Sequence, residues 1–442
     1  MTWAAENCVA YWPGTTLVSM AICNFNSGRL LSALLLLAGL CLSAAQAATP
    51  AHRPGSGLAH KPASGLSAKK DGPKKDEPPI TAPHAILIDA ENGGVLFERD
   101  PDKLIFPASL AKLMTAEYVF NELKSGRLNL KDEFPVSENA WRKGGAPSGG
   151  STMFAALHSR INVDDLLHGV IIHSGNDSCI VLAEGISGNE AAFAAKLTQR
   201  ARAIGLTKST FANSSGLPNP GTQVTTRELG MLARHIIVTY PEYYPIYGQR
   251  EFLWNKIKQP NRNPLLGMEI GADGMKTGFT REAGYGLVGS AMQNGIRLVV
   301  VVNGLNTAKE RGEEAKKLLE WGFKSFERRI VFAEGQIIGS AKVFGGVDGS
   351  VPLVAGREVR VMMPKSGGDR LTARIVYNGP VPAPVEQGAT VGVLKVWRND
   401  NVILQMPLQA AEPVARGGLS KRAFDAVSEL MIGLFRAGAQ RL

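Results

Sequence analysis

Ser109 and Lys112 lie three residues apart in "FPASLAKLMTAEYVF" (106–120), at the start of an apolar run with helical period. Residues at i and i+3 share one helix face, so the spacing brings a hydroxyl and an amine together on a face that reads as buried. Lysine is seldom fully buried without a partner. A desolvated lysine gives up its proton more readily, and a serine hydroxyl becomes a useful nucleophile when a neighbour takes its proton. The pair therefore reads as a nucleophile, Ser109, beside its base, Lys112. Pro107 suits a first helical turn, which puts Ser109 near a helix N-terminus, where N–H groups are unsatisfied and developing negative charge is favoured.

An S-x-x-K spacing is common by itself, and two further elements give it meaning. Ser174-Gly175-Asn176, in "GVIIHSGNDSCIVL", separates two apolar helix-like runs and offers a hydroxyl and an amide from a turn. Lys276-Thr277-Gly278, in "ADGMKTGFTREAGYGLVGS", reads as a strand with Lys276 and Gly278 on one face and Thr277 on the other. Gly278 permits the close approach of another backbone. The second element follows the first by about 65 residues and the third follows by about 100 more. S-x-x-K, S-x-N and K-T-G in that order, on helix, loop and strand, form an acyl-transfer constellation.

These side chains need a scaffold, and the patterning supplies one. "HAILIDAENGGVLFERD" predicts a hairpin turning at Asn92-Gly93. Helical periods cover 107–125, 163–185 and 189–205, and "TTRELGMLARHIIVTY" predicts a Thr-capped helix. Strands at 270–278, 284–292 and 296–304 precede a helix at 308–326. Strands at both ends with helices between predict one mixed sheet covered by helices. From about residue 330 apolar and polar residues alternate between Gly/Pro/Asn turns, which predicts a small all-β domain. The tail places Ala423, Val427, Met431, Leu434, Gly438 and Leu442 on one stripe, opposite Lys421, Arg422, Asp425, Glu429 and Arg436, as an amphipathic helix. The expected organisation is a signal peptide at 1–47, a disordered linker at 48–80, a catalytic domain at 81–328, a β domain at 329–415 and a membrane-anchor helix at 416–442, the other reading of that tail being a helix docked on the β domain.

Export is read from the leader. Arg29 precedes "LLSALLLLAGLCLSA", Ala45-Gln46-Ala47 forms an A-x-A cleavage site, and Met20 is a candidate start. Cys8, Cys23 and Cys41 fall inside the leader, so Cys179 alone remains and no intrachain disulfide is expected. The formal charge of +10 suits an anionic wall polymer or lipid surface. Nucleic acid is not an expected partner, because export and the lack of an aromatic-basic motif oppose it. The seven histidines form no metal-ligand spacing, so neither a metal nor a cofactor is expected. His173 reads as a packing residue at a helix end, and "YPEYYPIYGQREFLWN" as a packed surface segment.

The motifs resemble those of the penicillin-binding protein and serine β-lactamase superfamily. With "GLPNPGTQVTTRELG", "NRNPLL" and "EAKKLLEWGF", the chain over about 80–442 is similar to low-molecular-mass D-alanyl-D-alanine carboxypeptidases of peptidase family S11. That resemblance implies an α+β fold, a β-lactamase/transpeptidase-like antiparallel five-stranded sheet flanked by helices, then the small β domain and the amphipathic helix. It implies that Ser109 attacks the penultimate D-alanine carbonyl of a peptidoglycan stem pentapeptide, that Lys112 takes the proton, and that Ser174 and Lys276 lead to the leaving amine. Asn176 would hold the substrate amide, and Thr277 and Arg311 the terminal carboxylate. Arg262 would lie near the pocket, Gly278 would belong to the substrate strand, and the N–H groups of Ser109 and Phe279 would form the oxyanion hole. β-Lactams would be covalent inhibitors, and the enzyme would work at the periplasmic face of the inner membrane. The rival readings are a serine β-lactamase, a peptidoglycan endopeptidase and a non-catalytic wall-binding scaffold. Against the first, Gly175 replaces the usual Asp of S-D-N and the loop 205–225 holds no acid.

Overall fold

The computed structural model describes residues 5–11, 77–367, 370–399 and 401–439. The apolar run and cleavage site of the expected leader, and the expected linker as far as residue 76, lie outside the described residues. The packed body takes in residues just before Pro83: Ile80 and Ala82 are buried, and the Ala82 N–H donates to Glu314 Oε2 at 3.0 Å.

Five strands build the central sheet: β1 (His84–Asp89), β2 (Val95–Arg99), β3 (Ala272–Thr280), β4 (Gly284–Gln293) and β5 (Ile296–Leu305). Their order is β2-β1-β5-β4-β3, with Val300 opposite both Leu87 and Gly289. Every ladder is antiparallel rather than mixed. The reason is the connections: β1–β2 and β3–β4–β5 are joined by short turns, which leave no room for a parallel crossover. The "LVVVV" run of β5 is buried on both faces because alternate residues serve two cores. Val299 and Val301 join Ile86 and Ile88 against the large helical layer, whereas Val300 and Val302 join Ala85 and Leu87 beneath α5 (Ala308–Ser325).

The helical layer carries the site. α1 (Lys112–Lys124) follows a 3₁₀ turn, Ala108–Ala111. Its buried Glu117 accepts from Arg200 Nη2 at 2.7 Å, Tyr240 Oη at 3.0 Å and His235 Nε2 at 3.1 Å. Burial pushes that carboxyl up, but the bonds from His235 and Arg200 outweigh it and hold it below the usual range. The expected helix at 163–185 is broken: Val163–His168 passes through a π turn, Gly169–His173, to Ser174 in the left-handed region at φ 68°. α2 (Asn176–Ser187) starts afresh, followed by α3 (Glu190–Ala203) and α4 (Thr226–Thr239), whose Thr225 cap accepts the Glu228 N–H at 3.1 Å. The aromatic segment after α4 is core rather than surface, since Tyr240, Tyr244 and Tyr247 are buried in the main cluster.

The second domain is all-β. One sheet holds Leu371–Tyr377, Thr390–Arg398, Asn401–Ala410, Ser350–Ala355 and Ile337–Phe344, and Ala5–Tyr11 pairs along its edge with Leu371–Tyr377. Phe326–Phe332 pairs with Val359–Pro364, so the β pairing begins straight after α5. The β1–β2 turn touches this domain: Asn92 Nδ2 donates to the Arg360 carbonyl at 3.0 Å, and Glu91 pairs with Arg328 at 3.2 Å.

The tail forms α6 (Leu419–Ala439). Its polar side is bonded to the β domain: Glu429 pairs with Lys342 at 2.5 Å, and Asp425 Oδ2 accepts the Gly345 N–H at 2.9 Å. Leu419, Phe424, Val427 and Leu430 are 81%, 70%, 62% and 64% exposed, so this apolar face is left uncovered. Among the described residues no helix is long and apolar enough to cross a membrane.

Candidate active site

Ser109 sits in the 3₁₀ turn that feeds α1, and Lys112 opens the helix one turn later. The Lys112 side chain is 1% exposed. Its Nζ lies 2.9 Å from Ser109 Oγ, 2.8 Å from Asn176 Oδ1 and 2.5 Å from the Ser215 carbonyl. Two of these partners are carbonyl-type oxygens that can only accept; the third is a hydroxyl that can also donate. An uncharged amine has two N–H groups and one lone pair. It fits this shell by donating to Asn176 and Ser215 and accepting from the Ser109 hydroxyl. Burial, aided by the Arg262 guanidinium, brings the Lys112 pKa down to about 8.

Arg262 is the arginine that acts on Lys112, and Lys276 and Lys112 interact as like charges; burial outweighs both. Arg311 instead lies on α5, with Nη1 3.4 Å from the Gly278 carbonyl and its guanidinium 5.5 Å from the Tyr285 ring centroid. Lys276 is buried as well. Burial first, then Lys112, Arg262 and Arg311, hold its pKa well below the usual lysine value. Its amine donates to the Thr277 carbonyl at 3.2 Å.

Ser174 reaches the same cleft, but its buried Oγ has no hydrogen-bond partner, so the expected path to Lys276 is not bonded here. A Cβ on Gly175 would stand 2.7 Å from Ser178 Oγ and 3.1 Å from the Met153 nitrogen. The tightness of this turn explains why the middle position is glycine. Directly after Asn176 comes a residue the motifs did not single out. Asp177 is fully buried and accepts from Thr152 Oγ1 at 2.5 Å, Met153 N at 2.9 Å, Ala155 N at 3.0 Å and Ser178 N at 3.0 Å. It pins segment 151–155 to the S-x-N turn, and Ser151 of that segment lines the cleft. An acid next to Asn176 was its one sequence signal.

The carbonyl that receives Lys112 is also held in place. Thr115 Oγ1 donates to the Ser214 carbonyl at 2.6 Å, and the Ser214 hydroxyl donates to Glu190 at 2.8 Å. Gly216 follows at φ +76°, where a Cβ would fall 1.9 Å from the Ala108 carbonyl oxygen. Only glycine fits there.

The cleft encloses about 500 Å³ and is lined by Ser109, Ser151, Ser174, Arg262, Thr277, Gly278, Phe279, Tyr285 and Arg311. A Cβ on Gly278 would come within 2.9 Å of the Pro107 oxygen and 3.1 Å of the Leu110 nitrogen, so β3 presses against the turn that carries Ser109. Phe279 stacks on Tyr285 at 4.1 Å between centroids. Arg262 Nη2 donates to His173 Nε2 at 3.3 Å. Burial, then Arg262, lowers the His173 pKa, which favours the neutral ring that can accept this bond. His173 is therefore the partner of a cleft arginine as well as a helix-end residue.

A serine hydroxyl beside a buried lysine amine, under a helix-covered antiparallel sheet, defines the class of penicillin-binding serine acyl-transfer enzymes. The family model for D-alanyl-D-alanine carboxypeptidase matches residues 71–307, and that for the penicillin-binding protein 5 C-terminal domain matches 326–416. D-alanyl-D-alanine carboxypeptidase DacC of Escherichia coli is 39% identical over 355 residues, 80% of this chain and 89% of its own. DacA of Haemophilus influenzae is 37% identical over 81% of this chain and 91% of its own. The crystal structure of penicillin-binding protein 5 from Haemophilus influenzae aligns with a TM-score of 0.68 at 37% identity, covering 77% of this chain and 99% of that one. Penicillin-binding protein D2 of Listeria monocytogenes, in its ampicillin-bound form, aligns at 0.50 with 31% identity over 55% of this chain and 98% of its own. The chain belongs to the D-alanyl-D-alanine carboxypeptidase family.

Replacing Asp177 by Ala leaves three backbone N–H groups and the Thr152 hydroxyl without their acceptor. Asp177→Ala is expected to lose about 3–5 kcal/mol in urea unfolding; a loss below about 1 kcal/mol would show that the segment is held by other means.

Proposed function

We propose that Ser109 is the residue acylated by the substrate and Lys112 its general base, in a serine-type D-alanyl-D-alanine carboxypeptidase that removes the terminal D-alanine of peptidoglycan stem peptides. The family match and the relatives over four-fifths of the chain support the activity. The observation that carries the residue assignment is the 2.9 Å approach of a 1%-exposed Lys112 amine to Ser109 Oγ.

Ser109 Oγ attacks the penultimate carbonyl as its proton passes to the Lys112 lone pair. The developing oxyanion is received by the N–H groups of Ser109 and Phe279. Asn176 accepts from Lys112 through Oδ1, which leaves its NH₂ to donate to the substrate amide carbonyl. Thr277 and Arg311 take the terminal carboxylate. Ser174 Oγ, unpartnered in the free enzyme, carries a proton with Lys276 to the leaving D-alanine amine. Water then frees the shortened peptide. Among the described residues the cleft lining holds no carboxylate, so fast β-lactam hydrolysis is not expected and penicillin is held as an acyl-enzyme.

The chain is further proposed to be exported by the leader at 1–47, linked through 48–80, and held at the periplasmic face of the inner membrane by 416–442, with the catalytic domain over 81–328 and the β domain over 329–415. Support for the anchor is the exposed apolar face of α6, whose polar side is turned to the β domain. Such a helix lies in the interface plane.

Brief exposure to penicillin is expected to leave a single adduct on Ser109 by mass spectrometry, with D-alanine release lost in parallel. An adduct elsewhere would overturn the assignment. Lys112→Ala should slow acylation by at least about 100-fold. With a Lys112 pKa of about 8, the free-amine fraction grows about tenfold from pH 7 to pH 9, so the acylation rate should climb over that span. A flat profile would rule out Lys112 as the titrating base. Deleting 419–442 should abolish sedimentation with anionic vesicles while penicillin acylation persists; unchanged sedimentation would exclude the anchor.

A further inference from the structure

Arg311 is a cation with little to hold it. It is 8% exposed, yet among the described residues no carboxylate pairs with it, and its Nε has no hydrogen-bond partner. It stands in the first turn of α5, where its N–H donates to the Thr307 carbonyl at 3.1 Å. That end of a helix carries positive potential and disfavours a further positive charge. The acids nearest in sequence are engaged elsewhere: Glu310 accepts the Asn306 N–H at 3.0 Å, and Glu314 pairs with Lys317 at 2.9 Å. A buried charge without a counter-ion needs another source of support.

Two contacts supply it. One is the long bond from Nη1 to the Gly278 carbonyl, at 3.4 Å. The other is the ring of the half-buried Tyr285, whose centroid lies 5.5 Å from the guanidinium carbon. That distance is within the reach of a cation–π contact, about 6 Å. An aromatic face offers negative potential without a full charge, so it steadies the guanidinium and leaves its N–H groups for an anion. Tyr285 is itself fixed. It stands directly across from Phe279 in the β3–β4 ladder, and the two rings stack at 4.1 Å with 26° between their planes. Cross-strand aromatic pairs support each other. Phe279, Tyr285 and Arg311 all line the cleft that Thr277 lines.

We propose that Tyr285 is a positioning residue: its ring, braced by Phe279, holds the Arg311 guanidinium at the cleft, and through Arg311 it enforces the preference for a substrate with a free terminal carboxylate. A neutral ring suits this task better than an acid would. A carboxylate in its place would occupy the guanidinium N–H groups and repel the incoming anion. The inference rests on the carboxypeptidase reading, in which Arg311 takes the terminal carboxylate.

The test is the ratio of kcat/KM for acetyl-Ala-D-Ala-D-Ala to that for the same peptide with a C-terminal amide. In the wild type the acid should exceed the amide by at least about 30-fold. In Tyr285→Leu that ratio should fall about tenfold, whereas Tyr285→Phe, which keeps the ring, should retain it. Phe279→Leu keeps the Phe279 N–H but removes the stacking partner of Tyr285, and should lower the ratio about threefold. It keeps the proposal falsifiable where Tyr285→Leu does not fold. A merely structural role for Tyr285 would reduce turnover of acid and amide together and leave the ratio unchanged, which overturns the inference. A ratio lost equally in Tyr285→Phe, or held in Phe279→Leu, also overturns it. Equal cleavage of acid and amide by the wild type overturns the inference but not the acyl-enzyme on Ser109. Cleavage of neither peptide overturns the carboxypeptidase reading and the inference with it.

Discussion

An amine kept away from water governs this structure. Lys112 has three oxygen neighbours, and two of them can only accept. The lone pair of the uncharged amine is therefore directed at the Ser109 hydroxyl by exclusion. Desolvation makes that uncharged form accessible near neutral pH. An exposed lysine at the same spacing would stay protonated and could only donate. The proposed chemistry thus depends less on having Ser109 and Lys112 one turn apart than on the walls that keep solvent from the amine.

Those walls come from distant parts of the chain, and each is braced by a buried polar group or a close backbone contact. Asp177 fixes the segment that brings Ser151 to the rim. Asn213 accepts the Gly216 N–H at 2.7 Å and steadies the turn that presents the Ser215 carbonyl. Gly216 and Gly278 let two backbones press on the 107–110 turn. Glu117, a turn further along α1, ties the helix to α3 and α4 through Arg200, His235 and Tyr240. An unpaired charge there would carry a large desolvation cost, so the cluster holds α1 in one position. The two lysines and Arg262 bring positive charge together at the cleft, which favours an anionic substrate and disfavours the protonated amines.

The β domain and α6 follow a simpler physical rule. Alternating strands bury one face, and the amphipathic helix uses its charges, rather than its apolar stripe, to meet the β domain. That choice leaves the apolar stripe outward, the reverse of a helix packed to complete a core.

Much of this was legible beforehand, for definable reasons. The strand and helix periods of 84–125 and 226–325 are local properties of side-chain order, and the three motifs are local strings, so both could be read in sequence. The Asn92-Gly93 turn and the Thr225 cap are likewise short-range chemistry. The antiparallel sense of the sheet, the break at Ser174 and the burial of Tyr240, Tyr244 and Tyr247 depend on partners far along the chain. So do the role of Asp177, the pairing of Arg262 with His173, and the action of Arg262 on Lys112. Residue order alone determined which groups this protein has for acyl transfer and which elements carry them. The tertiary structure decided which of those groups are buried together, because desolvation and like-charge proximity are properties of volume and have no counterpart in a one-dimensional string.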